Sequence, residues 1–417
     1  MLIDADVLVA APVILLSYLL PFAYKPFRPA RGGVFLAFWV ILTFHHIISV
    51  YNCFFETLPG ANADAIRFHN TAALYSQSLF GAPFGSDSKF YEWFLAHIYR
   101  ISTPSLFLAQ SMVVLAFAFS TVYLLKLKNI VGIFKYDATA MIFFGMEPFV
   151  LIWTSVNLRE AYQILFLLMA LYFGLLWRLR REGAALVKFV ASILLLAILH
   201  NGLSVYSIFL LFIFISWNFN SQKESAFFSR RRVKKTLVLV PAFIAIALVA
   251  LNLPSMGALQ AVQTGNVVEY ANSYRHGSID SIGGSTYGAP IDFSSPFGFM
   301  VTGAGALSHY FFGPFPWEVR SFIDAIAALV VLFHAALLLS SIVFWRSSSG
   351  YQRHAAGILL TAYLILEFMW ASGTTNYGTA MRHHMVAYGI IVVLGAPSFI
   401  SFITKPFRRR GRLASYL

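Results

Sequence analysis

Long apolar runs separated by short polar clusters set the pattern of this chain. The runs lie near 7–24, 33–54, 103–125, 138–156, 159–177, 185–200, 203–219, 236–253, 320–345, 355–372 and 384–403. Most approach the roughly 20 residues that an α-helix needs to cross about 30 Å of hydrocarbon. They are continuous rather than alternating, which argues for helices and against a porin-type barrel. The pattern therefore predicts an all-α, polytopic membrane protein with eleven spans in a single domain, 1–417.

Two segments between the runs are too long to be simple connections. In 55–102, Asn62 is placed to cap a helix through "NADAIRFHNTAALYSQSLF". After "GAPFGSDS", the i, i+3, i+4, i+7, i+8 spacing of Phe90, Trp93, Phe94, His97 and Ile98 predicts a helix from Lys89 to Arg100. Its aromatic stripe suits a helix lying on a membrane surface. The second segment, 254–319, is rich in Gly, Ser, Asn and Pro and ends in "HYFFGPFPWEVR". It reads as a loop that folds over something. Within it, 298–312 is apolar enough to dip into the membrane as a re-entrant or interfacial element.

Composition sharpens this picture. Hydrophobic residues make up 59% of the 417 and charged residues only 11%, against about 25% charged in a soluble domain. The net charge of +13 would suggest nucleic acid in a soluble protein. Here the basic residues fall in alternate loops: Lys25/Arg28/Arg31, Lys126/Lys128/Lys135, Arg178/Arg180/Arg181, Arg230 to Lys235, Arg346/Arg353 and Lys405 to Arg412. The positive-inside rule makes those loops cytoplasmic, puts the N-terminus outside and the C-terminus inside, and removes the case for nucleic acid. Twelve of the 17 acids then fall outside. The acidic start, Met1 to Asp6, does not resemble the basic end of a cleavable signal peptide, so the first span is expected to be retained. The single cysteine, Cys53, can form no intramolecular disulfide. No GxxxxGK[ST], CxxC, HExxH or GxSxG motif is present, and no metal-ligand spacing is seen.

The candidate chemistry lies in the few basic residues that oppose the topology bias: Arg67, Lys89, Arg100, Arg159, Arg275, Arg320 and Arg382. Arg159 in "WTSVNLREAYQ" and Arg382 in "NYGTAMRHHMV" each precede or open an apolar run. Helix N-termini carrying guanidinium forks suit phosphate oxygens. Asn157 and Glu160 have the spacing of a capping box. Asp64, Arg67 and His69 cluster in "ADAIRFH", as a surface ion pair or as a carboxylate base with its neighbours. His200 and Asn201 in "LHNG" fall at an outer turn, where Asn201 stabilises the turn or both contact substrate. Arg275 and His276 sit in the long loop and could close over a substrate. His383 and His384 can carry protons near neutral pH. Tyr377 is one of several outer aromatics that suit either sugar stacking or an interfacial belt. His45, His46, Glu147 and Glu367 lie inside spans, where ionisable groups mark function or pair between helices.

Together these features resemble bacterial Wzy-type polysaccharide polymerases and, more broadly, the GT-C superfamily of lipid-linked glycosyltransferases. The matching stretches are the outer loop with "DAIRFH", "WTSVNLREAYQILFLLMALY" entering a helix, "GPFPW" before a late span and "YGTAMRHHM" before the last. The resemblance implies a polyprenyl-diphosphate-linked oligosaccharide as substrate, at the outer side of a bacterial inner membrane. It also implies work alongside a flippase and a chain-length regulator. By position it carries catalytic roles to Arg382, His383, Asp64 and His200. Binding of diphosphate or glycan falls to Arg159, Arg275, His276, Arg67, His69, Asn201 and Tyr377. The second acid that commonly adjoins the GT-C carboxylate is missing beside Asp64, so a reaction without metal or other cofactor is expected. Three other activities fit the same residues: a GT-C enzyme adding one sugar from a polyprenyl-phosphate donor, an O-antigen ligase, and a flippase or transporter. A transporter would need polar groups along a path through the membrane.

Overall fold

A computed structural model describes residues 2–24, 32–58, 61, 63–78, 81–217, 264–266, 269, 286–287, 292 and 294–414. The expected cap Asn62, the expected span 236–253, Arg275, His276 and most of the long second loop lie outside the described residues. The architecture is all-α. The fourteen α-helices among the described residues are α1 (Leu2–Ala23), α2 (Gly32–Phe54), α3 (Ala63–Gln77), α4 (Ser88–Ile101), α5 (Leu106–Ile130), α6 (Asp137–Gly145), α7 (Pro148–Trp153), α8 (Glu160–Arg180), α9 (Gly183–Leu199), α10 (Asn201–Ser216), α11 (Pro296–Phe312), α12 (Phe322–Ser347), α13 (Gly350–Gly373) and α14 (Tyr377–Ala414).

Seven of these helices, α1, α2, α5, α8, α12, α13 and α14, are long and apolar enough to cross a membrane. The chain is a multi-pass membrane protein by that measure. The other four expected spans differ for physical reasons or lie outside the described residues. The run 138–156 is broken, because Pro148 cannot continue a helix from Gly145 and instead starts α7 at its first position. Glu147 caps this new start, its carboxylate accepting from the Val150 N–H at 2.6 Å. The runs 185–200 and 203–219 become α9 and α10, of 17 and 16 residues. They are parted where His200 leaves the helical region, with φ −160° and ψ 133°. The segment 298–312 is one regular helix, α11, capped by Ser295 and followed by Gly313.

Helix α14 is the axis of the bundle. It packs on α12, α13, α8, α6, α7 and α5, and from Met385 to Leu394 almost every side chain is buried. Its approach to α12 depends on Gly395, since a Cβ there would collide with the Leu337 carbonyl oxygen. Large apolar side chains on α1 (Leu8, Leu15, Phe22) and α12 (Leu329, Leu332, Leu339) stay exposed, as the lipid-facing surface of a membrane bundle requires. The amphipathic α4 lies beside α3. It buries Tyr91, Leu95 and Tyr99, while the expected aromatic stripe sits at its edge, with Trp93 stacked on Phe90 at 5.8 Å and against His97 at 4.4 Å.

At the opposite end of α5 from Ser105, Lys128 is fully buried and pairs with Asp137 at 2.6 Å. Its ammonium also donates to the carbonyls of Ile133 and Lys135, fixing the turn into α6. Breaking such a pair from one side leaves a buried charge and costs about 3–5 kcal/mol. Lys128→Ala should therefore lower the unfolding midpoint of the detergent-solubilised protein strongly, while Lys128→Met combined with Asp137→Leu should recover most of the loss. Equal losses in the single and double variants would refute this account.

Candidate functional site

Arg382 stands in the second turn of α14, not at its N-terminus. There its guanidinium is shared between two carboxylates. Nε donates to Glu160 Oε1 at 3.0 Å, Nη2 donates to the same oxygen, and Nη1 donates to Asp64 Oδ2 at 3.1 Å. Asp64, in the first turn of α3, also accepts from Arg67 at 3.2 Å. The i, i+3 ion pair and the link to Arg382 therefore coexist on one carboxylate. Glu160 is the first residue of α8 and makes no capping box: the N-cap is Arg159, with no side-chain cap bond. Asn157 turns instead to α3 and α4, donating to the Ala65 carbonyl and accepting from the Tyr91 hydroxyl, both at 2.8 Å.

Arg159 pairs with Asp87, the residue before α4. Asp87 has φ 64°, a left-handed conformation rare for a non-glycine residue. Its N–H donates to the Ile198 carbonyl at 2.8 Å, and the adjoining Ser86 hydroxyl donates to Asn201 at 3.3 Å. These bonds tie the start of α4 to the α9–α10 break. Arg159 Nε is buried with no hydrogen-bond partner among the described residues. Three arginines and three carboxylates thus interlock at one end of the bundle. Arg159 and Arg382, expected to meet phosphate oxygens at helix N-termini, each face an acid here.

The histidines gather beside them. His200 caps α10 through Nδ1, which accepts from the Gly202 N–H at 3.1 Å. Asn201 accordingly lies in the first turn of a helix. The His383 ring stacks on Trp370 at 4.0 Å, and its Nδ1 lies 2.9 Å from the Thr374 hydroxyl oxygen. His200 meets Trp370 edge-on at 4.8 Å and His383 at 6.4 Å. Burial, then the positive charge of Arg159 and the neighbouring His383 and Arg382, hold the His200 imidazole well below its usual pKa, so it is neutral at pH 7.

Two predicted residues point elsewhere. His69 Nδ1 lies 2.8 Å from the Tyr99 hydroxyl oxygen, and its pKa is lowered by burial. Tyr377 donates to Glu318 at 2.6 Å and stacks on Tyr287 at 4.5 Å. It forms one wall of a largely apolar groove of about 230 Å³, together with Trp153, Ile323 and Met381, the residue before Arg382. That groove continues past Pro148 and Ile326 into a second, of about 410 Å³, between α6, α7 and α12. Glu160, Asp87, Trp370 and Thr374 were missed as site residues. Only Asp87 carried a signal, as the acid in the turn-forming "GSDS" ahead of a helix. Among the described residues no group of three or more His, Cys, Asp or Glu is arranged to hold a metal ion.

Comparisons with protein families, with curated proteins and with solved structures found no match.

The lowered pKa of His200 has a measurable consequence. The unfolded chain binds this proton more readily than the folded one, so stability falls as pH drops below about 6.5. The midpoint of thermal unfolding should decline between pH 7 and pH 5, and His200→Asn should flatten that decline. An unchanged slope in the variant would show that His200 is not the group responsible.

Proposed function

We propose that this protein is a membrane glycosyltransferase of the polysaccharide-polymerase type. It transfers a polyprenyl-diphosphate-linked glycan onto the next lipid-linked repeat unit at the outer face of a bacterial inner membrane. The observation that carries this reading is the sharing of Arg382 between Glu160 and Asp64, one residue along α14 from Met381, which lines a largely apolar groove. A groove lined by Trp153, Ile323 and Met381 suits an isoprenoid chain, and the guanidinium of the next residue, Arg382, suits the diphosphate that such a chain carries.

In this mechanism an acceptor hydroxyl attacks the anomeric carbon, and the bond from that carbon to the diphosphate oxygen breaks. The electron pair leaves with the lipid diphosphate, whose growing charge Arg382 and Arg159 stabilise. The acceptor proton passes to Asp64, His200 or His383. His200 is neutral at pH 7, and its unprotonated nitrogen, Nδ1, takes the proton only by giving up the Gly202 N–H. Diphosphate reaches Arg382 by displacing Asp64, which makes the single contact, whereas Glu160 keeps its two. Displacement frees a carboxylate at the moment the substrate arrives. A GT-C transferase adding one sugar from a polyprenyl phosphate is the second reading. It is favoured by that same placement of Asp64, a carboxylate held at the site by two arginines.

Deletion of the gene, read by gel and by mass spectrometry of lipid-linked intermediates, separates these activities. Single repeats accumulating on their lipid are expected. A glycan short by one sugar would instead support the monosaccharide transferase, and intact repeats held on the cytoplasmic leaflet would support a flippase. Arg382→Ala should reduce chain transfer by about 10²–10³ while the protein still inserts. Polymer of normal length from that variant would sink the assignment.

A further inference from the structure

The core between α7, α11, α12, α13 and α14 holds ionisable groups that glycosyl transfer does not use. Glu147 uses one oxygen to cap α7. Its other oxygen, Oε1, is buried with no hydrogen-bond partner among the described residues. It faces Nε2 of His334 on α12 at 4.0 Å, and that nitrogen is likewise without a partner. A second pair lies alongside. Nδ1 of His384 on α14 is 2.6 Å from Oε2 of Glu367 on α13. The Tyr310 hydroxyl of α11 donates to that same oxygen at 3.0 Å, and His384 Nε2 donates to the Tyr310 carbonyl at 2.9 Å. The two imidazole rings are 6.1 Å apart. A cavity of about 20 Å³, lined by both of them and by Tyr363, is large enough for one water.

Capping a six-residue helix needs one carboxylate oxygen, and helix packing needs no histidine opposite the other. Glu147 is also the only polar residue lining the 410 Å³ groove, otherwise built from side chains such as Ile142, Met146, Leu329 and Phe333. A carboxylate left half-paired in hydrocarbon is strongly disfavoured, and a proton removes the charge.

We propose that Glu147 and His334 form an intramembrane proton-binding site, linked through His384 to Glu367, that exchanges its proton by way of the groove between α6, α7 and α12. Loaded, Glu147 is a neutral acid whose O–H points to His334 Nε2. Unloaded, it is a carboxylate that keeps the Val150 N–H. Only a proton moves, and every electron pair stays with its atom. The groups around the site are Tyr388 of α14, stacked on His334 at 4.4 Å, Tyr363 and Glu367 of α13, Tyr310 of α11, His384 of α14, and His45 of α2, which is tied to Thr154 at 2.9 Å. None of these is a lysine or arginine, so the charge at Glu147 depends on the proton itself. His384 and Arg382 are two residues apart on α14, which places the site on the helix that carries the outer cluster.

The test uses the full chain in lipid nanodiscs and N,N′-dicyclohexylcarbodiimide, which attaches to protonated carboxyls reached from lipid, with peptide mass spectrometry as readout. Glu147 should be modified at low pH, with yield falling about tenfold per pH unit above a midpoint, as for a single titrating proton. His334→Ala, or His334→Gln if the smaller residue prevents insertion, should displace that midpoint by about one unit or more. The infrared carbonyl band of a protonated carboxyl should titrate in parallel and disappear in Glu147→Gln. Glu147 left unmodified at every pH, modified equally at all pH values, or indifferent to loss of His334 would overturn the proposal. None of these readouts involves a glycan, so the result is independent of the polymerase assignment.

Discussion

One guanidinium holds the charged end of this bundle together. Arg382 joins the central helix α14 to the start of α8 through Glu160 and to α3 through Asp64. These partners are 222 and 318 residues away in sequence. The planar fork of arginine serves both acids at once, which the single ammonium of lysine does less well. The surrounding contacts follow from this tie. With Glu160 fixed, Arg159 is fixed beside it and can reach Asp87. With Asp87 fixed, α4 is anchored to the α9–α10 break, and His200 comes to rest against Trp370 and His383. The carboxylates are as necessary as the arginines, since loss of either sign would leave the other uncompensated in a partly buried site.

Helix α14 links two very different polar environments. Near its start, Arg382 and His383 face groups partly open to solvent. His384, the next residue, turns into a core where Glu367 is fully buried. Successive residues on a helix point about 100° apart, so neighbours in sequence serve opposite sides. The close approach of α12 at Gly395 leaves this helix little freedom to slide. A disturbance in one environment is then more readily passed on as a rotation of α14 than as a shift along it.

Much of the fold was legible because hydrocarbon imposes a length and a composition on whatever crosses it. Seven spans follow from that constraint alone, and α4 from the helical spacing of its aromatic residues. The break at Pro148 was visible as a residue but was hidden by the apolar run around it. The separation of α9 from α10 at His200 was read correctly as a turn, although each helix is shorter than a typical span. Basic residues opposed to the charge bias pointed to Arg159, Arg382 and Arg67, while Asp64 came from its cluster with Arg67 and His200 from its place at a turn. The Asp64–Arg67 pair followed from its i, i+3 spacing, but the pairing of Arg382 with Glu160 and Asp64 did not, because ion pairs across more than 200 residues depend on packing that no local pattern encodes. Glu160 shows the difficulty: its spacing from Asn157 suits a cap, and only the arrival of α14 gives it a different partner.

The equal number of guanidinium and carboxylate groups in the arginine cluster has a kinetic consequence. Arg67, Arg159 and Arg382 are matched by Asp64, Asp87 and Glu160, so the cluster projects little net field beyond itself. Electrostatic focusing, which speeds encounters with charged molecules in free solution, is nearly absent here. With little long-range attraction, an anionic molecule would engage such arginines only at contact. Contact of that kind varies little with ionic strength, because Debye screening acts on long-range attraction.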